Sequence, residues 1–283
     1  MKKKVFLFGL LFSLLLLCGC GVNLTSTVKL NKDFSGTRVM SCTFSSRDFH
    51  TYFKGSKKDL NKLIKESCPD ALTYTSSSSD GNDTYTFYLR FSSLDDYKKK
   101  VRDLLNFSPE ITYEYGDSPF VSGLIYKENF TSKDLMTWLY TALYEGKYID
   151  KDSSSDLWDL KSTEISFLGT TYETKDKINI DEMAYVPLSS IHIDTKTKKS
   201  GKLARVIEFD LPQQTLDQNA GKIRSYFAGN DINWENTSDG KTLCISFDAN
   251  NFSDLAQKTR TVLHSKNSFG TYNSTCSKDN PFT

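Results

Sequence analysis

The sequence predicts an α+β fold in which antiparallel sheets carry helices on one face. Three patterns predict it. Short runs alternate apolar and polar residues and come in pairs around Ser-, Asp- and Gly-rich turns. Each pair is followed by a segment whose apolar residues recur at helical spacing. The order strand, strand, helix, strand, strand, helix then occurs twice, once towards each end of the chain. Hairpins that feed helices place those helices on one side of the sheet, so the opposite side is expected to need a cover, either the other sheet or the middle segment, because a large naked sheet face would be an exposed apolar patch.

In the first run, Val28-Lys29-Leu30 and Val39 to Phe44 flank Asn31 to Gly36 as a hairpin, with Met40, Cys42 and Phe44 on one strand face. A loop is expected around Phe49 to Phe53. A helix then begins at Ser56, where Ser56 and Asp59 form a capping-box relative. Its stripe is Leu60, Leu63, Ile64 and Cys68, and Pro69 ends it. Ala71 to Thr75 and Thr84 to Phe91 read as the next hairpin, with Ser76 to Asp83 as the turn. Ser92 with Asp95 is expected to cap a second helix carrying Leu94, Tyr97, Val101, Leu104 and Leu105.

The order returns with Ser190 to Thr195 and Leu203 to Phe209 as a hairpin. Thr215 and Gln218 form a capping box, and Leu216, Ala220, Ile223 and Phe227 a helix stripe that Gly229 ends. Ile232 to Glu235 and Lys241 to Phe247 make the fourth hairpin, before a last helix from Ser253 to His264. Several positions correspond. Leu94, Asp96, Arg102 and Leu105 match Phe252, Asp254, Arg260 and Leu263. Ser35-Gly36 matches Ser200-Gly201, and Cys42 and Phe44 match Ile207 and Phe209. The expectation is a duplicated ββαββα unit.

Between the copies, Ile111 to Tyr115 and Leu124 to Tyr126 read as strands. Thr131 or Ser132 caps a helix carrying Leu135, Trp138, Leu139 and Leu143, and Lys147 to Trp158 reads as a polar loop. Glu164 to Tyr172 and Ile178 to Ile180 read as a further hairpin. This stretch is either a degenerate third copy or an insertion. The expected organisation is a leader at 1–19, a tether at 20–27, a first module at 28–107, a middle segment at 108–187, a second module at 188–266 and a polar tail at 267–283. The abrupt end at Thr283 is compatible with a longer chain.

The leader places the protein. Lys2, Lys3 and Lys4 precede an apolar run from Val5 to Leu17, which closes with Leu17-Cys18-Gly19-Cys20. That run is shorter than the roughly 20 apolar residues a spanning helix needs and has the length of a signal h-region. The stretch resembles the signal peptide of bacterial lipoproteins. The resemblance implies cleavage before Cys20, a diacylglyceryl group on its thiol, and a location on the extracytoplasmic face of the cell membrane. Cys18 follows Leu15-Leu16-Leu17 and fits the pattern less well than Cys20. Just beyond, Asp33-Phe34-Ser35-Gly36 between two strands resembles the opening hairpin of the LppM-type lipoprotein domain, which usually reads Asp-Gly-Ser-Gly. That resemblance covers some twenty residues and implies an α+β envelope domain.

Charge and chemistry narrow the function further. The whole chain has 36 basic and 35 acidic residues; without the leader's three lysines the 33 that remain give a net charge of −2. This balance does not suit nucleic acid, which needs a basic field. Cys42, Cys68, Cys244 and Cys276 lie in an oxidising compartment on this reading, and local pairing would give Cys42–Cys68 and Cys244–Cys276; the alternative is buried free thiols. No Cys-x-x-Cys, phosphate-binding Gly-rich loop, Gly-x-Ser-x-Gly elbow or calcium-loop pattern is present. His50, His192 and His264 are not spaced as metal ligands. The sequence therefore points to no catalytic residue, metal or cofactor. Trp138 reads as core and Trp158 as the candidate for an exposed binding surface; Trp234 is undecided. The expected function is a membrane-anchored, non-enzymatic binding or scaffold module facing an envelope protein, polymer or small ligand. The alternatives are a solute-binding lipoprotein of an ABC transporter, which would need parallel βαβ units, and an envelope hydrolase.

Overall fold

The computed structural model describes residues 22–47, 53–150 and 157–264. The leader, Cys20, His50, Asp152 to Asp156 and the tail with Cys276 lie outside these residues. Fourteen strands and five helices are described, in three mostly antiparallel sheets. The chain divides into two units, one holding residues up to 115 with 124–182, the other 116–123 with residues from 183 onward.

The first unit opens with β1 (Val22–Leu30), β2 (Gly36–Ser45), α1 (Lys57–Ser67), β3 (Thr73–Ser79), β4 (Asn82–Phe91) and α2 (Leu94–Leu105). Then come β5 (Ile111–Asp117), β6 (Val121–Glu128), a 3-10 turn at Asp134–Met136, α3 (Thr137–Glu145), β7 (Trp158–Phe167), β8 (Thr170–Thr174) and β9 (Asn179–Asp181). The main sheet has the order β3-β4-β2-β1-β7-β8, and β7 runs parallel to β1. One face is apolar: Leu24 and Val28, Met40 and Cys42, and Phe87 and Leu89 alternate inward and are buried together with Leu60 and Ile64 of α1 and Val101 of α2. The other face is polar. Asn23, Thr25 and Lys29 are exposed on it, and hydroxyl pairs Ser41–Thr86 and Thr43–Thr84 bridge β2 and β4 at 3.1 and 3.0 Å. It needs no second layer, because an antiparallel sheet with one polar face is stable in water.

The helix boundaries follow from their caps. Ser56 and Asp59 make the reciprocal capping box that opens α1. For α2 the cap is Ser93, one residue later than read from sequence; its hydroxyl accepts the Asp96 N–H at 3.2 Å while the Ser92 N–H donates to the Asp96 carboxylate at 3.0 Å. Four other expectations change. Residues 22–27 are not a tether but the start of β1: Val22 is buried, and its N–H donates to the Leu157 carbonyl at 2.7 Å. Ser76 to Ser79 are strand rather than turn. They pair with Asn82 to Tyr85 along an exposed sheet edge, where serine loses nothing to burial, and Asp80-Gly81 alone makes the turn, both with positive φ. The segment 164–172 contains a whole tight hairpin, β7 and β8 around Leu168-Gly169, while Ile180 pairs with Tyr126 of β6. Thr215 caps nothing: β12 runs into Pro212 at the helix entry, and the Thr215 hydroxyl donates to the Pro187 carbonyl at 2.8 Å.

The second unit contains β10 (Ala184–Tyr185), β11 (Ser190–Thr197), β12 (Leu203–Pro212), α4 (Gln213–Tyr226), β13 (Ile232–Asn236), β14 (Gly240–Ala249) and α5 (Phe252–Val262). Its sheet has the order β11-β12-β14-β13. Ile207, Phe209, Leu243 and Ile245 pack under Leu216, Ile223 and Val262, and Phe120 stacks on Phe209 at 5.8 Å. Among the described residues no helix is long and apolar enough to cross a membrane.

Candidate functional site

The strongest electrostatic feature lies inside the first unit. Arg38 has the inward phase of Met40, Cys42 and Phe44, so its guanidinium enters the core and is 1 % exposed. Glu128 likewise shares the inward phase of Leu124 and Tyr126. The two meet as a buried ion pair at 2.7 Å. Arg38 also donates to the Tyr97 hydroxyl at 2.6 Å and to the Ser132 hydroxyl at 2.9 Å. Tyr97 donates to the Glu128 carboxylate at 2.7 Å, Tyr126 donates to the same oxygen, and Ser132 reaches the Thr163 hydroxyl at 3.2 Å. The Phe130 ring lies 5.7 Å from the guanidinium carbon. The Arg38 Nε is buried with no partner among the described residues.

This network holds one protonation state. Burial opposes the charge on Arg38 most strongly, but Glu128 together with Tyr97 and Tyr126 outweighs it and raises the guanidinium above its ordinary value. Burial pushes the Tyr97 and Tyr126 hydroxyls up, the Arg38 charge offsetting part of this at both and Glu128 adding to it. An arginine that stays charged and tyrosines that stay neutral move no proton near neutral pH. Closed on all sides, the cluster is a brace tying β2, α2, β6 and β7 rather than a place where substrate meets a reactive group. Sequence reading missed it, although a signal existed: Arg38 and Glu128 each fall on the apolar phase of a strand.

A groove of about 710 Å³ opens between α1, α2 and α3. Leu63, Leu104, Phe107 and Trp138 form its apolar part, and Asp103, Asp134 and Glu145 also line it. No Lys or Arg is among the lining residues. The C-terminal ends of α1, α2 and α3 contribute Ser67, Leu105 and Glu145 to it, and helix C-termini carry partial negative charge. Trp138 stands edge-on to Phe87 at 5.4 Å, and its indole N–H is buried without a partner among the described residues. The groove therefore suits an apolar group carrying a positive charge or a hydrogen-bond donor.

The expected site residues that are described lie on separate elements. Cys42 is buried between Met40 and Phe44 on β2, Cys68 follows the last turn of α1 with its thiol 3.9 Å from the Pro69 carbonyl, and Cys244 lies on β14. All three carry free thiols in this structure, and the expected Cys244–Cys276 pairing falls outside the described residues. Cys42 lies within the apolar core of the first unit, and Cys68 is partly buried against it. Burial raises the thiol pKa at Cys42, Cys68 and Cys244, with neighbouring carboxylates adding to this at the last two, which leaves them weak nucleophiles. Cys20 and Cys276 lie outside the described residues. Trp158, expected at the surface, is buried and stands edge-on to Phe44 at 6.4 Å, because β7 is an internal strand. Trp138, expected in the core, is partly buried, packs against the core and also lines the groove. Trp234 sits on β13 under the Arg224 guanidinium at 5.6 Å. His192 is on β11, 3.8 Å from Asp210, and the His264 ring nitrogen lies 2.7 Å from the Tyr226 carbonyl. No protein-family model matches the chain, and a search of curated proteins finds no match.

Proposed function

We propose that this chain is a lipid-anchored envelope protein, held on the extracytoplasmic face through Cys20, that works by binding a partner and not by catalysis. The Leu17-Cys18-Gly19-Cys20 ending of a basic and then apolar leader carries the anchor. Gly21 alone separates Cys20 from the buried Val22, so β1 would start within about 7 Å of the lipidated residue. The binding role is supported by the groove beside Trp138, whose carboxylates and helix C-termini favour a cationic or donor-bearing segment with an apolar body. Two measurements test the reading. Cys20→Ser is expected to release the protein from the membrane fraction, since two acyl chains hold far more firmly than one; retention contradicts the anchor. A photoreactive side chain at Thr141 in the groove is expected to capture an envelope component in intact cells, and one at Thr25 on the polar sheet face is not. Equal capture from both positions contradicts the groove.

The two ββαββα runs read as copies of one unit, and matching hydrogen bonds support this. In the first hairpins, Asn31 N–H donates to Ser35 and Phe34 N–H to Asn31, as Lys198 does to Lys202 and Gly201 to Lys198. In the final helices, the Lys100 ammonium binds the Arg90 carbonyl and Asp96, as Lys258 binds the Asp248 carbonyl and Asp254. The Asp254 N–H meets Asn251 just as the Asp96 N–H meets Ser93. The strand orders β1-β2-β4-β3 and β11-β12-β14-β13 are also alike. These turns align Asp33-Phe34 with Ser200-Gly201 and Met40 and Cys42 with Ile207 and Phe209, two residues from the alignment that residue identity suggests. Identity is misled there because Phe34 occupies the left-handed position that Gly201 holds in the other copy.

A further inference from the structure

The first strand of each copy differs in one respect. On the outer edge of β1 lies β7, whose pairing begins where the Val22 N–H meets the Leu157 carbonyl. The matching strand β11 ends its sheet and has no strand beyond it among the described residues. In β11, Lys198 N–H bonds Lys202 across the closing turn. By antiparallel alternation, the backbone N–H and C=O groups of Ile191, Ile193 and Thr195 then point away from β12. Their side chains share the face of Arg205, which reaches Thr259 of α5. That face is covered further in, yet Ile191 and Ile193 are 50 % and 55 % exposed. Two bare isoleucines on an eight-residue edge strand form a surface that proteins otherwise blunt with bulges or inward charges.

We infer that β11 pairs with β11 of a second copy of this chain, antiparallel, about a two-fold axis at Ile193. The strand is complementary to itself in that register. Ile193 stands opposite the partner copy's equivalent residue, and Ile191 stands opposite Thr195, so the isoleucines of both copies form one strip. On the other face Asp194 stands opposite His192, and Lys196 opposite Ser190, so no like charges meet. The outward backbone groups of residues 191, 193 and 195 find partners in this register. An axis at Asp194 would also pair the outward backbone groups, Ile193 with Thr195, but would set acid against acid at its centre. An axis at Thr195 would separate the isoleucines. The two four-stranded sheets would become one sheet of eight, closing the edge by an isologous contact. Neither the lipid anchor nor the groove is needed for this pairing.

Sedimentation of the full chain in detergent micelles tests it, with variants at two positions. The parent is expected to show a concentration-dependent monomer–dimer equilibrium, and Ile193→Lys to raise the dissociation constant at least tenfold. Under mild oxidation Ile193→Cys is expected to give a reducible dimer beyond any that the parent forms, because directly opposed residues lie within disulfide reach. Thr195→Cys is expected to give none, since residue 195 faces residue 191. A parent that is monomeric at every concentration overturns the pairing, and so does a dimer that Ile193→Lys leaves unchanged. A crosslink through Thr195→Cys but not through Ile193→Cys overturns the register.

Discussion

Glu128→Gln is expected to destabilise the first unit by about 3–5 kcal/mol, the usual result of removing one partner from a buried ion pair. The change keeps the shape of the side chain and removes its charge. Arg38 would then be a buried cation with only neutral groups around it: the new amide, two hydroxyls and an aromatic ring. A loss of that size lowers the melting temperature by roughly 10 °C for a unit of this length. Adding Arg38→Met is expected to restore at least half of the loss, because a core without the pair is often as stable as a core with it. A Glu128→Gln protein that melts with the parent contradicts this account of the brace. The pH dependence has a defined sign. Tyr97 and Tyr126 have raised pKa values in the fold, so the stability they contribute is complete below about 10, the ordinary tyrosine value, and is lost as pH rises above it.

Phe34 gives the second large effect, with an unusual order of substitutions. Its backbone has a φ of 61°, a region that costs a side-chain-bearing residue about 1–2 kcal/mol. The ring is 1 % exposed and lies 4.7 to 5.7 Å from those of Tyr113, Phe91, Tyr97 and Tyr126. Two of these tyrosines bind the Arg38–Glu128 pair, so Phe34 backs the brace from the turn. Phe34→Ala is expected to cost about 3–5 kcal/mol through the cavity it leaves. Phe34→Gly removes one carbon more yet is expected to be about 1 kcal/mol less damaging, because glycine takes positive φ freely. Melting of the two variants checks this, and the opposite order contradicts it. In this chain the backbone strain remains, and burial of the aromatic ring offsets it.

What could be read from the sequence was local. Alternation located β2, β4, β12 and β14, and helical spacing with Ser56 and Asp59 located α1, because each depends on neighbours a few residues apart. Three kinds of feature escaped. Ser76 to Ser79 look like a turn by composition, and only their pairing with β4 makes them strand. Trp158 follows an acidic stretch, and its burial depends on β7 entering the sheet beside β1, more than a hundred residues away in sequence. The Arg38–Glu128 pair spans 90 residues, so no window of sequence contains both partners, although each sits on an apolar strand phase. Thr215 shows the reverse failure. Its capping pattern is present, but Pro212 sets the helix entry and tertiary packing takes the hydroxyl.

The lipid on Cys20 is the claim from which the envelope setting follows, and the mass of the mature N-terminal peptide tests it most directly. The account predicts a chain that begins at Cys20 and carries a diacylglyceryl group on its thiol. A chain from a lipoprotein-processing cell that keeps residues 1–19, or begins at Cys20 without the lipid, contradicts it.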